Sequence, residues 1–320
     1  MKKKVNWALV GTGGIAMKMV KDMARVPGAV PYALVSRDSQ RAKHQARIFG
    51  VPHWETNLGT LLSNHPIDAV YIATPHSAHL EPALVALDHG IPVLCEKPLT
   101  PGYHSSRQLV HSAREHGVLL MEALWSKFHP LLRRVWDFID QGHLGQVRSM
   151  GLNFGFKAEF HGDSRLFNSK LGGGATLDIG IYPLWLPLAF WGEPREIQTL
   201  GTRALTGVDE ASITNLKFSS GAIAHCESSF VYPMDNAAHI YGTKGRIEIP
   251  NPWYAPKRAH FYPLQGRQQT WIHRAHTVGL NYQVEHFQNL MIGGLTESPI
   301  HSLDDTLLLA KVMDRIMAQI

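Results

Sequence analysis

Near the amino terminus the chain reads Gly11-Thr12-Gly13-Gly14-Ile15-Ala16. A short apolar run, Val5 to Val10, precedes these residues, and Ile15, Met19 and Met23 follow at helical spacing. A strand that breaks into glycines and re-forms as a helix is a strongly constrained object. In such a G-x-G-x-x-G/A pattern Gly11 permits the tight turn, Gly13 lets the backbone approach a diphosphate, and the small Ala16 lets helix and strand pack closely. The helix start offers unbonded N–H groups and positive potential to an anion. The residues predict a dinucleotide site spanning Gly11, Thr12, Gly13, Gly14, Ile15 and Ala16.

Three further apolar runs follow, Tyr32 to Val35, Ala69 to Ala73 and Val93 to Cys95, separated by polar helical stretches. They are short and lack alternation, as strands do when helices cover both faces of a parallel sheet. The order predicts a doubly wound α/β Rossmann domain over residues 1–122. The end of the second strand sorts the cofactor. A site for NAD usually carries an acid there for the ribose 2′-hydroxyl, whereas a 2′-phosphate needs a hydroxyl and a cation. This chain has Ser36 and Arg37, with Arg41 one turn on, and Asp38 is placed to cap the next helix. NADP is the expected cofactor, NAD the lesser alternative.

The third strand ends in Thr74-Pro75-His76, with His79 beyond, and the fourth in Glu96-Lys97-Pro98. Ligands of such sheets sit at these carboxyl ends. Thr74, Pro75, His76, His79, Glu96 and Lys97 are therefore added to the cofactor set, with Lys97 expected at the nicotinamide end and Pro98 as a candidate cis proline.

Composition excludes several other functions. Apolar residues make up 44% and charged residues 18%, an ordinary balance for a folded protein. Two cysteines, Cys95 and Cys226, form no disulfide framework or thiolate zinc cluster, and the 19 histidines show no zincin spacing, so no metal is expected. A reducing, cytoplasmic setting fits the cysteine count. The apolar stretch after Met1-Lys2-Lys3-Lys4 is too short for a secretory signal. Tyr182 to Trp191 carries two prolines and is about half a membrane span, so no membrane partner is expected. The net charge is +5, and residues 1–122 hold 13 Lys and Arg against 9 Asp and Glu. No dense Lys/Arg stripe with interleaved aromatics is present, so a phosphorylated small ligand accounts for the bias better than nucleic acid does.

The pattern changes in the second half. Gln146 to Phe156, Ser212 to Phe218, Ala222 to Phe230 and Ala237 to Ile249 are strand-like, with turn signals at Ser219-Ser220-Gly221 and Gly242-Thr243-Lys244-Gly245. They predict an α+β domain over 123–320 with a large, mainly antiparallel open sheet. Gly172-Gly173-Gly174 reads as a flexible turn into a helix from Ala175 to about Phe190, and Asp178 and Tyr182, four apart, would share one face. A tyrosine on such a helix is commonly core; in the company of Lys97 it is also a candidate catalytic group.

These residues resemble the glucose–fructose oxidoreductase, inositol dehydrogenase and rhizopine catabolism family of two-domain dehydrogenases. The likeness rests on residues 11–16, Ala73-Thr74-Pro75, Glu96-Lys97-Pro98, and Gly172-Gly173-Gly174 leading to Asp178 and Tyr182. A finer likeness, to the dihydrodiol dehydrogenase and NADP-dependent D-xylose dehydrogenase branch, rests on Met121-Glu122-Ala123-Leu124-Trp125, Phe154-Gly155 and Arg165-Leu166. The inositol dehydrogenase branch typically has His in place of Tyr182. Lys127 stands where the resembling branch commonly has Arg, which puts a substrate contact there in doubt. The resemblance implies hydride transfer between NADP and a secondary alcohol carbon of a small sugar, polyol or cyclic trans-diol. It also implies Arg165 among the cofactor contacts and a homodimer, or a higher oligomer, joined through the open sheet.

Oxidising a secondary alcohol requires a base for the hydroxyl proton and a stabiliser of the developing oxyanion. Tyr182 is the expected acid/base. Lys97 would favour its phenolate, with Lys97 itself the alternative proton acceptor, and Asp178 would orient substrate or lysine. Trp125, Phe154 and Trp253 are candidates for an aromatic wall. The alternatives are an inositol or keto-sugar dehydrogenase or reductase of the same family and, in another class, a catalytically silent NADP-sensing regulator. Sensing would require none of Lys97, Asp178 and Tyr182.

Overall fold

The computed structural model describes residues 4–274 and 277–320. The chain divides into two compact units, Met1–Phe128 with His276–Thr306 and His129–Ala275 with Leu307–Ile320.

The first unit alternates strand and helix. It runs β1 Val5–Val10, α1 Gly14–Met23, β2 Ala29–Val35, α2 Ser39–Phe49, β3 His53–Glu55, α3 Leu58–Asn64, β4 Ala69–Ile72, α4 Leu80–Asp88, β5 Val93–Glu96, α5 Tyr103–His116 and β6 Leu120–Ala123. The six strands are parallel in the order β3-β2-β1-β4-β5-β6, the doubly wound arrangement that the apolar runs foretold. The central strand β4 is buried at every position, as helices on both faces require. Strands β3 and β6 had escaped the reading of the sequence. His53-Trp54-Glu55 is an edge strand with no apolar run, and β6 carries a glutamate, so neither presents the usual signal. Asp38 caps α2, accepting from the Arg41 amide at 3.0 Å, and Gly50 ends the helix at φ +65°.

The boundary expected at 122/123 assigns everything that follows to a second domain, yet α8, Asn281–Ile292, packs with the first unit. The cause lies on α1. Asp22, 4% exposed, accepts from the Gly279 and Leu280 amides at 3.1 and 2.9 Å, so a carboxylate more than 250 residues away in sequence satisfies the N–H groups at the start of α8. Trp7 of β1, fully buried, lies 5.3 Å from the Phe287 ring of α8.

The second unit begins with α6, Pro130–Asp140, and β7, Val147–Gly155. A π-helix, Thr176–Gly180, then leads into α7, Ile181–Trp191. Strands β8 Glu196–Arg203, β9 Asp209–Lys217, β10 Ile223–Ser229, β11 Ala238–Gly242, β12 Gly245–Ile249, β13 Arg258–Pro263 and β14 Gln269–Ile272 complete the sheet, and the last helix, α9, Leu303–Met317, starts in the first unit and runs on into the second. The eight strands run β14-β13-β12-β11-β7-β10-β9-β8, antiparallel except where β7 meets β10. Strands β8, β13 and β14 were not anticipated; they lie toward the two edges, and their exposed positions mix polar residues with Leu200 and Ile272. Ala222, Ala224, Cys226, Ser228 and Phe230 are all buried, the face that their alternation had marked. Among the described residues no helix is long and apolar enough to cross a membrane.

One uninterrupted helix had been expected from Ala175 to about Phe190. The observed run starts with π-type winding, a form that concentrates at functional sites. Pro187, inside α7, has no N–H for the Pro183 carbonyl. The Cys226 thiol donates to that carbonyl instead, at 3.1 Å, and burial pushes its pKa well up, so it remains a donor.

Candidate active site

In the first unit the glycine loop is shaped by what it must avoid. Gly11 sits at φ +108°, and a Cβ there would lie 2.5 Å from the Ala73 carbonyl oxygen where β1 runs beside β4. Gly13 is extended and caps α1 without a side-chain bond, and a Cβ at Gly13 or Gly14 would meet nothing within 4 Å. That open space at an uncapped helix start suits a diphosphate. Ala16 is fully buried, as close packing of helix on strand requires, while Ile15 is half-buried. Arg41 donates to the Thr12 carbonyl at 3.2 Å, which brings its guanidinium to the loop. Ser36 is half-buried, its amide given to the Glu55 carbonyl at 3.1 Å, and Arg37 is exposed. The open helix start and the Arg41 guanidinium beside it suit the phosphates of a dinucleotide.

The strand ends beyond form one connected structure. Thr74 donates its hydroxyl to the Ala78 carbonyl at 2.8 Å, and Pro75 opens the short 3-10 turn His76–Ala78. His76 is 5% exposed, its ring 5.8 Å from that of the fully buried His79. His79 Nδ1 lies 3.0 Å from the Pro98 carbonyl and 3.3 Å from that of Leu99, and Nε2 lies 3.0 Å from the Thr74 carbonyl. The ring thus bridges two strand ends. Burial, opposed by these backbone bonds and aided by the Lys97 charge, holds its pKa below the ordinary value. Glu96 accepts the Tyr71 hydroxyl at 2.5 Å and the Lys97 amide at 3.3 Å. Glu96, expected among the cofactor contacts, also helps to hold this turn. The Lys97–Pro98 bond is cis. Trp125, 9% exposed, starts a 3-10 turn directly after β6.

In the second unit the triple glycine is a site of close approach where a flexible turn had been expected. A Cβ on Gly173 would come within 2.7 Å of the Leu166 carbonyl oxygen, and one on Gly174, at φ +126°, within 2.3 Å of Asp209 Oδ1. Asp209 is 5% exposed and accepts the Thr176 amide at 2.6 Å, capping the π-helix from β9. Burial raises its pKa, against the bonds from Thr176. Asp178 is held bidentately by Arg165, Nη1 to Oδ1 at 2.8 Å and Nη2 to Oδ2 at 3.1 Å, the fork geometry that aligns a carboxylate. The two residues expected to serve substrate and cofactor separately are therefore one ion pair.

Tyr182, 5% exposed, lies 5.4 Å from the Phe154 ring and 5.5 Å from that of Tyr254, and those two rings stack on each other at 4.2 Å. Trp253 is fully buried, with its indole N–H given to the Asn153 carbonyl at 2.8 Å. The residue expected in the aromatic wall thus packs wholly within the protein. The adjacent Tyr254 lies beside Tyr182, and burial raises its pKa. No periodic signal distinguishes the two aromatics in Asn251-Pro252-Trp253-Tyr254, so the sequence could not choose between them.

The fold and the glycine loop define a nicotinamide-dinucleotide-binding oxidoreductase. Residues 5–124 match the oxidoreductase family with an NAD-binding Rossmann fold, and residues 132–248 match the GFO/IDH/MocA C-terminal domain. The chain is 32% identical over 328 residues to trans-1,2-dihydrobenzene-1,2-diol dehydrogenase of Xenopus laevis, covering 98% of this chain and 97% of that one. It belongs to the GFO/IDH/MocA oxidoreductase family. A 3-ketoreductase from Actinomadura kijaniata, solved with NADP and TDP-benzene, superposes with a TM-score of 0.85 at 27% identity over 99% of this chain and 98% of that one. An aldose-aldose oxidoreductase from Caulobacter crescentus shares the fold, with a TM-score of 0.89 at 24% identity over 99% of this chain and 97% of that one.

Proposed function

We propose that this oxidoreductase transfers a hydride between NADP and a secondary alcohol or ketone carbon of a small sugar, polyol or cyclic trans-diol. The observation that carries this reading is the placing of Tyr182 against the stacked pair Phe154 and Tyr254, directly after the π-helix that holds Asp178. A hydroxyl beside two aromatic faces suits a ring-shaped substrate whose alcohol must lose a proton. The names of the relatives, a dihydrodiol dehydrogenase and a 3-ketoreductase solved with NADP and TDP-benzene, agree with it. The ketoreductase has also been solved with a lysine replaced by alanine and with a tyrosine replaced by phenylalanine.

The nicotinamide, when bound, accepts or returns the hydride. The residues of the chain do the rest. Tyr182 takes the hydroxyl proton of the alcohol, Lys97 stabilises the substrate oxygen, and the Arg165–Asp178 pair holds the π-helix that leads to Tyr182. The glycine loop holds the diphosphate, and Ser36, Arg37 and Arg41 hold the 2′-phosphate, which favours NADP over NAD. The catalytic setting is the cytoplasm, where the two buried thiols stay reduced. Two chains associate through the open sheet, whose outward row includes Leu200, 80% exposed, opposite Ile213. Assays of trans-cyclohexanediol, benzene dihydrodiol, D-xylose and keto-sugars with NADP(H) and NAD(H) test the activity. Turnover of none of them with either cofactor overturns it, and sedimentation as a 36 kDa monomer overturns the dimer.

A further inference from the structure

Glu122 belongs to the segment Met121–Trp125 that carries the finer family likeness, and neither the cofactor nor the hydride chemistry engages it. It lies on β6 opposite Cys95, one residue from the end of β5, and is 2% exposed. A buried carboxylate is costly unless its oxygens are filled. Here both are. Oε1 accepts the Leu99 amide at 2.8 Å, and Oε2 accepts His301 Nε2–H at 2.8 Å and the Thr306 hydroxyl at 3.0 Å.

The chemistry of the partners sets the proton positions. Lys127, 6% exposed, places Nζ 3.0 Å from His301 Nδ1 and 3.2 Å from Asp305 Oδ2. An ammonium only donates. His301 Nδ1 must therefore accept, and the proton of the neutral ring sits on Nε2, facing Glu122. Asp305, Lys127, His301 and Glu122 form a single directed chain within the first unit, ending on the backbone two residues after Lys97.

Other polar groups of that turn are bound as well. Glu96 takes the Lys97 amide, and His79 Nδ1 faces the Pro98 and Leu99 carbonyls. Apolar residues of similar volume would fill this space at no greater cost in stability, so four polar side chains directed at one backbone amide point to precision of placement. We infer that Glu122 is a positioning residue for Lys97, and that His301 and Lys127 hold Glu122 in the orientation which grips the Leu99 amide. Their distance in sequence hides the arrangement, since 174 residues separate Lys127 from His301.

The inference rests on the proposed role of Lys97 in the reaction, and its test separates the two. Steady-state kinetics, NADPH binding and residue-resolved amide exchange are measured on the full chain for Glu122→Gln, Lys127→Met, Lys127→Arg and Lys97→Met. Glu122→Gln sets an NH2 group against a donor, and it should lower kcat about ten-fold or more while KM and NADPH affinity stay near wild type. Exchange at Leu99 should quicken by a similar factor, with strand Val5–Val10 unchanged. Lys127→Met should act in the same direction, and Lys127→Arg, which restores a cationic donor, should recover most of kcat. Unchanged kcat and Leu99 exchange in both Glu122→Gln and Lys127→Met overturn the inference, as does quickened exchange shared equally with Val5–Val10. If Lys97→Met keeps full turnover, the role of Lys97 in the reaction is refuted, and the exchange data alone then decide whether Glu122 holds the turn.

Discussion

The chain contains two glycine-rich turns that look alike on paper, Gly11-Thr12-Gly13-Gly14 and Gly172-Gly173-Gly174, and each leads into a helix. Their glycines answer different demands. In the first, Gly11 clears the neighbouring strand, while Gly13 and Gly14 face open space into which a ligand fits. In the second, Gly173 and Gly174 clear groups of the protein itself, the Leu166 carbonyl and the Asp209 carboxylate. Both helix starts need an anion to satisfy their free N–H groups. At the first no side chain caps α1, whereas the second has Asp209 built in. A glycine run therefore does not by itself mark a ligand site, and what distinguishes the two is whether the anion comes from the chain.

The largest effect expected is on the chemistry that the second turn supports. Tyr182→Phe should lower turnover by about two to four powers of ten, the usual worth of general acid–base catalysis, with NADPH affinity preserved. Stopped-flow and binding titrations on the same preparation check this, and near-wild-type turnover would make Tyr182 a packing residue. Next come the glycines. Gly174→Ala, forced into φ +126° and onto Asp209, should cost about 3 kcal/mol or more in stability without any ligand. Gly13→Ala should leave the melting temperature of the cofactor-free protein nearly unchanged yet weaken NADPH about ten-fold. If the two substitutions had equal effects on stability, the distinction between the turns would collapse.

On the proposed NADP reading, Arg37→Ala should remove a charge-assisted bond worth roughly 1.5–3 kcal/mol, so NADP should weaken about ten-fold or more while NAD is little affected. Equal affinity of the wild type for the two cofactors would refute the preference. The smallest effect is the pH signature of the built-in anion. Burial raises the pKa of Asp209 above its ordinary 3.8, so the folded state holds its proton more tightly than the unfolded state. Its contribution to stability is full below pH 3.8 and is lost as pH rises through the raised value. Asp209→Asn lacks this loss, so its melting temperature relative to wild type should climb across that window and then level off. A flat difference between the two proteins would show that Asp209 titrates as it does in the unfolded chain.

The strands β1, β2, β4 and β5 with the helices between them, the glycine loop, the Asp38 cap and the buried face of β10 were legible because each is a local pattern. A strand buried on both faces, a capping acid or a period-two alternation is written in adjacent residues. What tertiary structure alone decided concerns groups distant in sequence. It placed α8 on the first unit through Asp22, turned Trp253 inward and left Tyr254 beside Tyr182. It also paired Arg165 with Asp178, capped the π-helix from β9 and drew Glu122 together with His301. A buried charge takes whichever partner the fold brings within 3 Å, and no spacing along the chain encodes that choice.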